Sequence, residues 1–344
     1  MTPVSAAAAP FLHSPGSVTQ VMLRVLLALC PATLAHIWFF GPGLAFNMAI
    51  AVTACVGGEA LILRLRQRPV GPALGDLSAV VTGVLLAFCL PPLTPWWITV
   101  CGGVFAIVFA KQLYGGLGFN PFNPAMAGYA VVLISFPVEM TRWLAPRELT
   151  ETVPGVFSSL QSVLTGKPPG AASWDGMTMA TPLDFAKTEI ARLQTMPEIR
   201  ADAMFGDFAG LGWEWIANWV AIGGIWLIYK GVIRWHIPVT MLATLGLCAF
   251  IFWVADPGKF GSPGFHVFGG AAMLGAFFIA TDPVSAATTT RGRVIYAAGI
   301  GLLTYVIRTW GGYPDGVAFA VLLMNLCVPL IDRYTRPRIY GDGN

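Results

Sequence analysis

The stretch GGLGFNPFNPAMAG, residues 115–128, interrupts an otherwise apolar part of the chain. Its two Asn-Pro pairs cannot continue an ordinary α-helix, because proline lacks the amide donor and crowds the preceding turn. Non-helical backbone is tolerated at membrane depth only where protein buries it or where it lines a cavity. The stretch therefore predicts a helix break inside a membrane-embedded protein, with Asn120 and Asn123 at the break.

The composition of the whole chain also indicates a membrane protein. Of its 344 residues, 56% are hydrophobic and 11% are charged, whereas about a quarter of the residues in soluble domains are charged. Ten apolar runs suit membrane spans, although several are short or interrupted by Gly and Pro. They cover roughly residues 21–40, 44–63, 77–93, 95–111, 124–138, 213–229, 237–255, 264–281, 294–309 and 316–332. We expect an all-α polytopic membrane protein with about ten transmembrane helices.

Two parts of the chain resemble each other. The sequence KQLYGG at 111–116 closes one apolar run, and IRTWGG at 307–312 repeats it loosely. Upstream of each lies an interrupted segment, LPPLTP at 90–95 and TDPVS at 281–285. Because five runs per half is an odd number, the halves must face opposite ways. We predict two inverted five-helix repeats, whose paired breaks would place binding sites near the membrane midplane.

The basic residues predict the orientation, because short cytoplasmic connections collect Lys and Arg. With both termini cytoplasmic, one side receives Arg64, Arg66, Arg68, Lys111, Lys230, Arg234, Arg291, Arg293, Arg333, Arg336 and Arg338. The opposite side receives residues 139–212, which are too many for a bare connection and should be functional or partly folded. We expect a first membrane repeat over 1–138, a periplasmic loop over 139–212 and a second repeat over 213–344, in the bacterial inner membrane.

Several kinds of site find no support in the sequence. The net charge of +3 and the lack of a Lys/Arg-rich run argue against binding of nucleic acid. The six cysteines lie in apolar runs without C-x-x-C spacing, so we expect packing roles and no metal site. No basic residue precedes residues 6–10, and no small-x-small site follows the first run, so we expect no cleaved signal peptide. Glu59 and Asp315, near run ends, should be solvated at the membrane interface.

The polar interval contains the sequence WDGMTMATPLD, residues 174–184. Pro182 disfavours the helical region at Thr181, so the Thr181 hydroxyl should lie on an extended segment within reach of an external enzyme. Residues 182–192 could then form a short helix capped near Thr181. One interpretation is an attachment site, and the alternative is a Thr-Pro turn in a solvated loop.

The attachment interpretation rests on a resemblance of this interval to a known pattern. Asp175, Thr178, Ala180 and Thr181 match Asp-x-x-(Ser/Thr)-x-Ala-Thr, on which flavin transferases place FMN. The residue before Ala180 is Met179, where the pattern usually has glycine, and this departure leaves the acceptor hydroxyl in place. By this resemblance, Thr181 would carry FMN through a phosphoester to its side-chain oxygen.

The breaks within the membrane offer a second candidate site. Asn120 and Asn123 could supply amide donors and acceptors to a planar polar ligand, with Phe119 and Phe122 supplying aromatic faces. The alternative is that asparagine caps the fifth helix. Asp282 occupies the mirrored position in the second half, where it either caps a helix or touches a cofactor.

Taken together, these motifs resemble the D subunit of Rnf-type electron-transport complexes, and more distantly the B subunit of Na⁺-translocating NADH:quinone reductases. The resemblance rests on residues 175–182, 111–128 and 278–290 and on the ten-run layout. It implies covalent FMN on Thr181 and a further non-covalent flavin, riboflavin or similar, within the membrane part. Asn120, Asn123 and Asp282 are the candidates for that membrane flavin.

The resemblance also implies a function. The chain would be a flavoprotein component, not an enzyme alone, of a complex that couples electron transfer between ferredoxin and NAD to Na⁺ or H⁺ translocation. Its partners would be proteins of the Rnf A, B, C, E and G types, a flavin transferase and membrane lipid. Those other components would hold the iron–sulfur clusters, in agreement with the scattered cysteines. The competing class is an inverted-repeat channel or small-solute transporter, which has no need of the Thr181 motif.

Overall fold

The computed structural model describes residues 18–150, 153–170 and 173–336, and these are mostly helical. The predictions about a signal peptide, the location of the first residues and Arg338 lie outside the described residues.

The chain before residue 139 forms apolar helices, two of which end shortly before prolines, at Cys89 and Ser135. The helices are α1 (Val18–Phe40), α2 (Gly43–Leu65), α3 (Val70–Leu74), α4 (Ser78–Cys89), α5 (Trp96–Ile107) and α6 (Pro124–Ser135). After α4, Leu90 is extended, because Pro91 disfavours the helical conformation in the residue before it. A π-helical turn, Val108–Gln112, continues α5. Such turns are rare in proteins overall, but those that occur are often at functional sites.

The polar interval is partly folded, as expected from its length. Its elements are α7 (Pro137–Met140), β1 (Trp143–Leu144), α8 (Val156–Thr165), β2 (Thr178–Met179), α9 (Pro182–Ala191) and α10 (Met196–Arg200). The strands pair antiparallel, with Trp143 opposite Met179 and Leu144 opposite Thr178. A small apolar core joins α9 and α10 to the following chain through Leu183, Ala186, Met196, Ile199, Met204, Phe205, Ala209 and Phe265.

The last part of the chain again consists of apolar helices. They are α11 (Trp213–Tyr229), α12 (His236–Ala255), α13 (Pro263–Phe268), α14 (Ala272–Leu274), α15 (Thr290–Trp310) and α16 (Val317–Thr335). A second π-helical turn, Gly275–Ile279, follows α14. The predicted run 264–281 is therefore not one helix. It breaks at Gly270, whose φ of +59° favours glycine. A Cβ added at this position would collide with Asp315 and Leu183.

The helices identify a multi-pass membrane protein. Among the described residues, α1, α2, α12 and α16 are long and apolar enough to cross a membrane. Shorter apolar helices, including α4, α5 with its π-helical turn and α6, lie among them. The count of ten spans, the inverted repeat and the inside–outside orientation stay predictions.

Candidate functional site

Thr181 caps the helix that follows it. Its backbone is extended, with φ −66° and ψ 155°, and its hydroxyl oxygen accepts a hydrogen bond of 3.3 Å from the Asp184 amide. Pro182 opens α9, where its missing N–H has no cost because the first amides of a helix lack intrahelical partners. The prediction of an extended Thr181 and a short capped helix is confirmed.

The other motif residues lie in an ordered segment before this cap. Asp175 is exposed in a 3₁₀ turn, Trp174–Gly176. Thr178 lies in β2, where its hydroxyl donates to the Trp174 carbonyl at 2.8 Å. Ala180 is half-buried. Arg142 lies 5.2 Å from the Trp174 ring centroid and fixes the turn against the preceding chain.

A cavity of about 380 Å³ lies directly below the start of α9. Thr181, Pro182, Leu183 and Asp184 form part of its wall. Most of the lining is apolar and comes from helices on both sides of the polar interval, including Phe88, Met126, Leu133, Trp213, Ile216, Met273 and Val317. Pockets for organic ligands typically measure about 300–1,000 Å³ and combine apolar walls with a few polar groups. This cavity, hereafter the Thr181 cavity, has both properties.

Two polar groups of the Thr181 cavity come from outside the polar interval. Asp315 accepts from the Ala271 amide at 2.6 Å and pairs with Arg308 at 3.1 Å. The Asp315 carboxylate therefore contacts the end of α15. It is partly exposed, and it also forms an ion pair that the sequence did not predict. His36, on α1, is 2% exposed, and neither of its ring nitrogens has a hydrogen-bond partner within the described ranges. Sequence reasoning missed His36, because a lone histidine in an apolar run carries no pattern.

A lysine fixes α9 over the cavity. The Lys187 ammonium donates to the carbonyls of Ile307, Arg308, Gly311 and Tyr313, at and beyond the C-terminal end of α15. Unpaired carbonyls at a helix C-terminus favour a cation there. Nearer the cap, burial raises the pKa of Asp184, and the positive charge of Lys187 opposes that rise.

A smaller cavity lies at the opposite end of the helices. Since α1 contributes Val21 near its start to this cavity and His36 near its end to the Thr181 cavity, the two lie at different ends of that helix. The smaller cavity measures about 120 Å³, and Asn120, Asn123 and Asp282 all line it. The structure therefore brings these three residues together.

The hydrogen bonds of the three residues differ. Asn123 caps α6 by accepting from the Met126 amide at 3.2 Å, and it donates to the Ile279 carbonyl. Asn120 donates to the Phe122 carbonyl, while its Oδ1 is buried without a partner in the described part of the chain. Asp282 accepts from the Ser285 hydroxyl at 2.6 Å and stabilises the turn it begins. The capping alternative thus holds for Asn123, while Asn120 keeps an unused acceptor.

The expectation that Glu59 is solvated is wrong. Glu59 is 1% exposed and forms an ion pair of 2.7 Å with Lys111, which in turn donates to the Ser78 hydroxyl. The Gln112 amide also donates to Glu59. Lys111 therefore cannot count as a cytoplasmic loop residue in the orientation argument. The pairing was not visible in sequence because 52 positions separate the two charges.

The fold and the Thr181 cavity define a multi-pass membrane protein with a ligand-sized site beneath a structured loop segment. Among the described residues, no cluster of His, Cys, Asp and Glu could hold a metal ion. A family model, the NQR2, RnfD, RnfE family, matches residues 5–341, and the chain belongs to that family.

Three relatives within this family share one name. The chain is 51% identical to a protein of Escherichia fergusonii that is named as the D subunit of an ion-translocating oxidoreductase complex, over 97% of each chain. It is 48% identical to a protein of the same name from Citrobacter koseri, over 97% of this chain and 98% of the relative. A protein of that name from Escherichia coli O81 is 49% identical, over 97% of each chain.

Proposed function

We propose that this chain is the D subunit of an Rnf-type ion-translocating oxidoreductase complex and carries FMN esterified to Thr181. In this role it relays electrons within a complex that couples their transfer between ferredoxin and NAD to Na⁺ or H⁺ movement. The support comes from the names of the relatives and from one structural observation. The acceptor threonine of the flavin motif forms part of the wall of a largely apolar cavity of ligand size.

The local structure at Thr181 suits a phosphoester. Thr181 caps a helix of 10 residues, and helix N-termini favour anions because their free amides point outward. The Asp184 amide, which already donates to the Thr181 oxygen, can serve a phosphoryl group at the same place. Lys187 anchors the same helix to the end of α15, so the attachment point is held at the cavity.

The cavity assigns roles to the residues of this chain. Bound FMN would supply the capacity to accept and donate electrons one at a time. The apolar lining, including Phe88, Met126 and Ile216, would exclude water and hold the flat ring system. Trp213 adds an aromatic face to that lining. The chain thus provides position and a dry environment, and the redox chemistry belongs to the cofactor.

The second, non-covalent flavin stays a prediction. The Oδ1 of Asn120 lacks a hydrogen-bond partner among the described residues, but it is covered by protein atoms. The cavity that Asn120 lines, about 120 Å³, is also smaller than the range of about 300–1,000 Å³ typical of organic ligands. A flavin ring does not fit it without movement of the lining.

Three variants in and near the attachment segment test the proposal. Thr181→Ala removes the acceptor oxygen and should abolish covalent flavin. Thr181→Asn keeps a capping side chain without a hydroxyl, and it too should lack flavin, which separates attachment from helix capping. Thr188→Ala is the matched control, because it removes an exposed hydroxyl of α9 outside the motif and should keep the flavin.

In-gel fluorescence of the denatured protein and intact mass give the readout. Covalent flavin in Thr181→Ala would move the attachment site elsewhere, with Thr178 as the first alternative. Covalent flavin missing from the wild-type protein, expressed with its transferase and the other proteins of the complex, would favour the channel or transporter class instead.

A further inference from the structure

The helix α8 of the polar interval turns its largest apolar side chains away from the rest of the protein. Phe157 is 87% exposed, and Leu164, on the same side of the helix, is also exposed. The opposite side is fully buried and consists of Ser159, Ser162 and Val163. A surface helix of a protein in water normally has the reverse arrangement, with apolar residues toward the core and polar residues toward solvent. The outer side of α8 therefore suits an apolar environment.

This outer side also carries no charge, because α8 contains no Asp, Glu, Lys or Arg. Its exposed apolar residues are Val156, Phe157 and Leu164, and its exposed polar residues are Gln161 and Thr165. Contiguous apolar surface of this kind marks a place that a partner or a membrane covers. The helix has 10 residues, whereas a membrane span takes about 20. It can therefore lie on a membrane but cannot cross one.

Both ends of α8 are fixed beside the ends of apolar helices. The helix packs against α2, and Gly41, just before α2, lies against Val153 and Pro154, just before α8. At the other end Gly166 follows α8, and a Cβ added there would collide with the ring of Trp97. Trp97 belongs to the first turn of α5. The helix α8 thus lies at the level where α2 and α5 begin.

The tryptophans identify this level as the boundary between membrane and water. Trp96 and Trp97 are 43% and 39% exposed at the start of α5. Tryptophan is enriched at that boundary, where its apolar ring and polar N–H suit both environments. The helix α2, which is long and apolar enough to cross a membrane, also begins here, at Gly43. The outer side of α8 is therefore continuous with surface that faces lipid.

We propose that α8 lies in the plane of the membrane and inserts Phe157 and Leu164 among the acyl chains of one leaflet. Helices that lie in the interface usually turn a polar side toward water. In α8 the polar side packs on the protein instead, where the Ser159 hydroxyl donates to the Pro154 carbonyl at 3.5 Å. Phospholipid thus holds the polar interval at a second place besides α9, and this contact does not depend on a flavin at Thr181.

The test measures what surrounds a spin label on α8 in the assembled complex, reconstituted in nanodiscs of phosphatidylethanolamine and phosphatidylglycerol. p-Acetylphenylalanine in place of Phe157 accepts a nitroxide without reaction of the native cysteines. Power saturation then measures collisions with oxygen, which concentrates in lipid, and with nickel ethylenediaminediacetate, which stays in water. Oxygen should be strongly favoured at position 157. The same label in place of Leu164 should give the same result, because both residues lie on the outer side.

The control is the same label in place of Thr188, an exposed residue of α9. The ratio of oxygen to nickel collisions should be several-fold higher at positions 157 and 164 than at position 188. High accessibility to nickel at 157 or 164 would place α8 in water and overturn the proposal. Low accessibility to both reagents at either position would show that another protein covers the helix, and would overturn the proposal equally.

Discussion

At the scale of single residues, most of the polar side chains described above have a specific structural role, and a few lack a partner. Thr181 caps a helix, and Asn123 caps another. Glu59 and Lys111 pair with each other, at 2.7 Å. The ring nitrogens of His36, the Oε2 of Glu59 and the Oδ1 of Asn120 are buried without a hydrogen-bond partner among the described residues.

Breaking the Glu59–Lys111 pair from one side should destabilise the protein strongly. Lys111→Met leaves the Glu59 carboxylate buried and unpaired, and the loss of one partner of a buried pair costs about 3–5 kcal/mol. The double variant Glu59→Leu/Lys111→Met should recover much of the loss, since no charge remains buried. Thermal unfolding in detergent, followed by size-exclusion chromatography, measures both. Equal stability of Lys111→Met and the wild type would mean that the pair is solvated.

Sequence alone predicts some of these residues and not others. Pro182 constrains Thr181 directly, so its extended conformation and capping role follow from neighbouring positions. The partners of Glu59 and Lys187 lie 52 and more than 100 positions away. No local pattern specifies such contacts, because they depend on how helices pack. The burial of His36 has no sequence signal, since a single histidine in an apolar run forms no pattern.

At the scale of elements, α9 is the structure on which the proposed function depends. Thr181 begins it, its side chains contribute to the small core of the polar interval, and Lys187 ties it to the end of α15. The helix is short, and helices of this length are not stable alone in water. Its position over the cavity therefore comes from these contacts.

Removing the Lys187 anchor should loosen α9 without removing the acceptor. Lys187→Met keeps the length of the side chain but gives up donation to four carbonyls. Covalent flavin should remain, while quenching of its fluorescence by iodide should increase as the ring spends more time outside the cavity. Lys167→Met, on the same interval but outside this contact, is the control. Unchanged quenching would show that packing alone holds α9.

Asp184 should give the polar interval a pH dependence in the acidic range. Burial raises its pKa in the folded protein, so the folded state binds more protons than the unfolded state just above the ordinary aspartate pKa of about 3.9. Stability from this group is present below that value and is lost as the pH rises through the folded pKa. Thermal unfolding of Asp184→Asn and wild type from acid to neutral pH should show that dependence only in the wild type.

At the scale of the whole molecule, the polar interval and the membrane helices form one site together. The Thr181 cavity takes its walls from helices before and after residues 139–212 and from α9 itself. The multi-pass class was predictable from the apolar runs, whose length and composition are local properties. The break at Gly270 was not predictable, because it depends on the close approach of Asp315 and Leu183, which lie elsewhere in the chain.

The predicted orientation places Thr181 on the periplasmic side of the membrane. Thr188→Cys, on the exposed side of α9, should react with an impermeant maleimide in intact cells. Arg64→Cys, at the exposed end of α2, should react with it only in inverted vesicles. Wild type, with its own cysteines, gives the background. Labelling of position 188 only in inverted vesicles would reverse the orientation and place the flavin on the cytoplasmic side.

The hydrogen bond between Thr181 and the Asp184 amide also sets an order of events during maturation. In the folded α9, the Thr181 hydroxyl oxygen already accepts a hydrogen bond, and Thr181 is half-buried. Under the proposed function, a transferase would reach a free Thr181 hydroxyl before the segment folds, or when the first turn of α9 frays. Loss of the cap hydrogen bond costs about 1 kcal/mol, but withdrawing the whole helix would also break the Lys187 contacts. If Thr181 carries the cofactor as proposed, loading would compete with folding of the interval, and early action of the transferase would favour the mature protein.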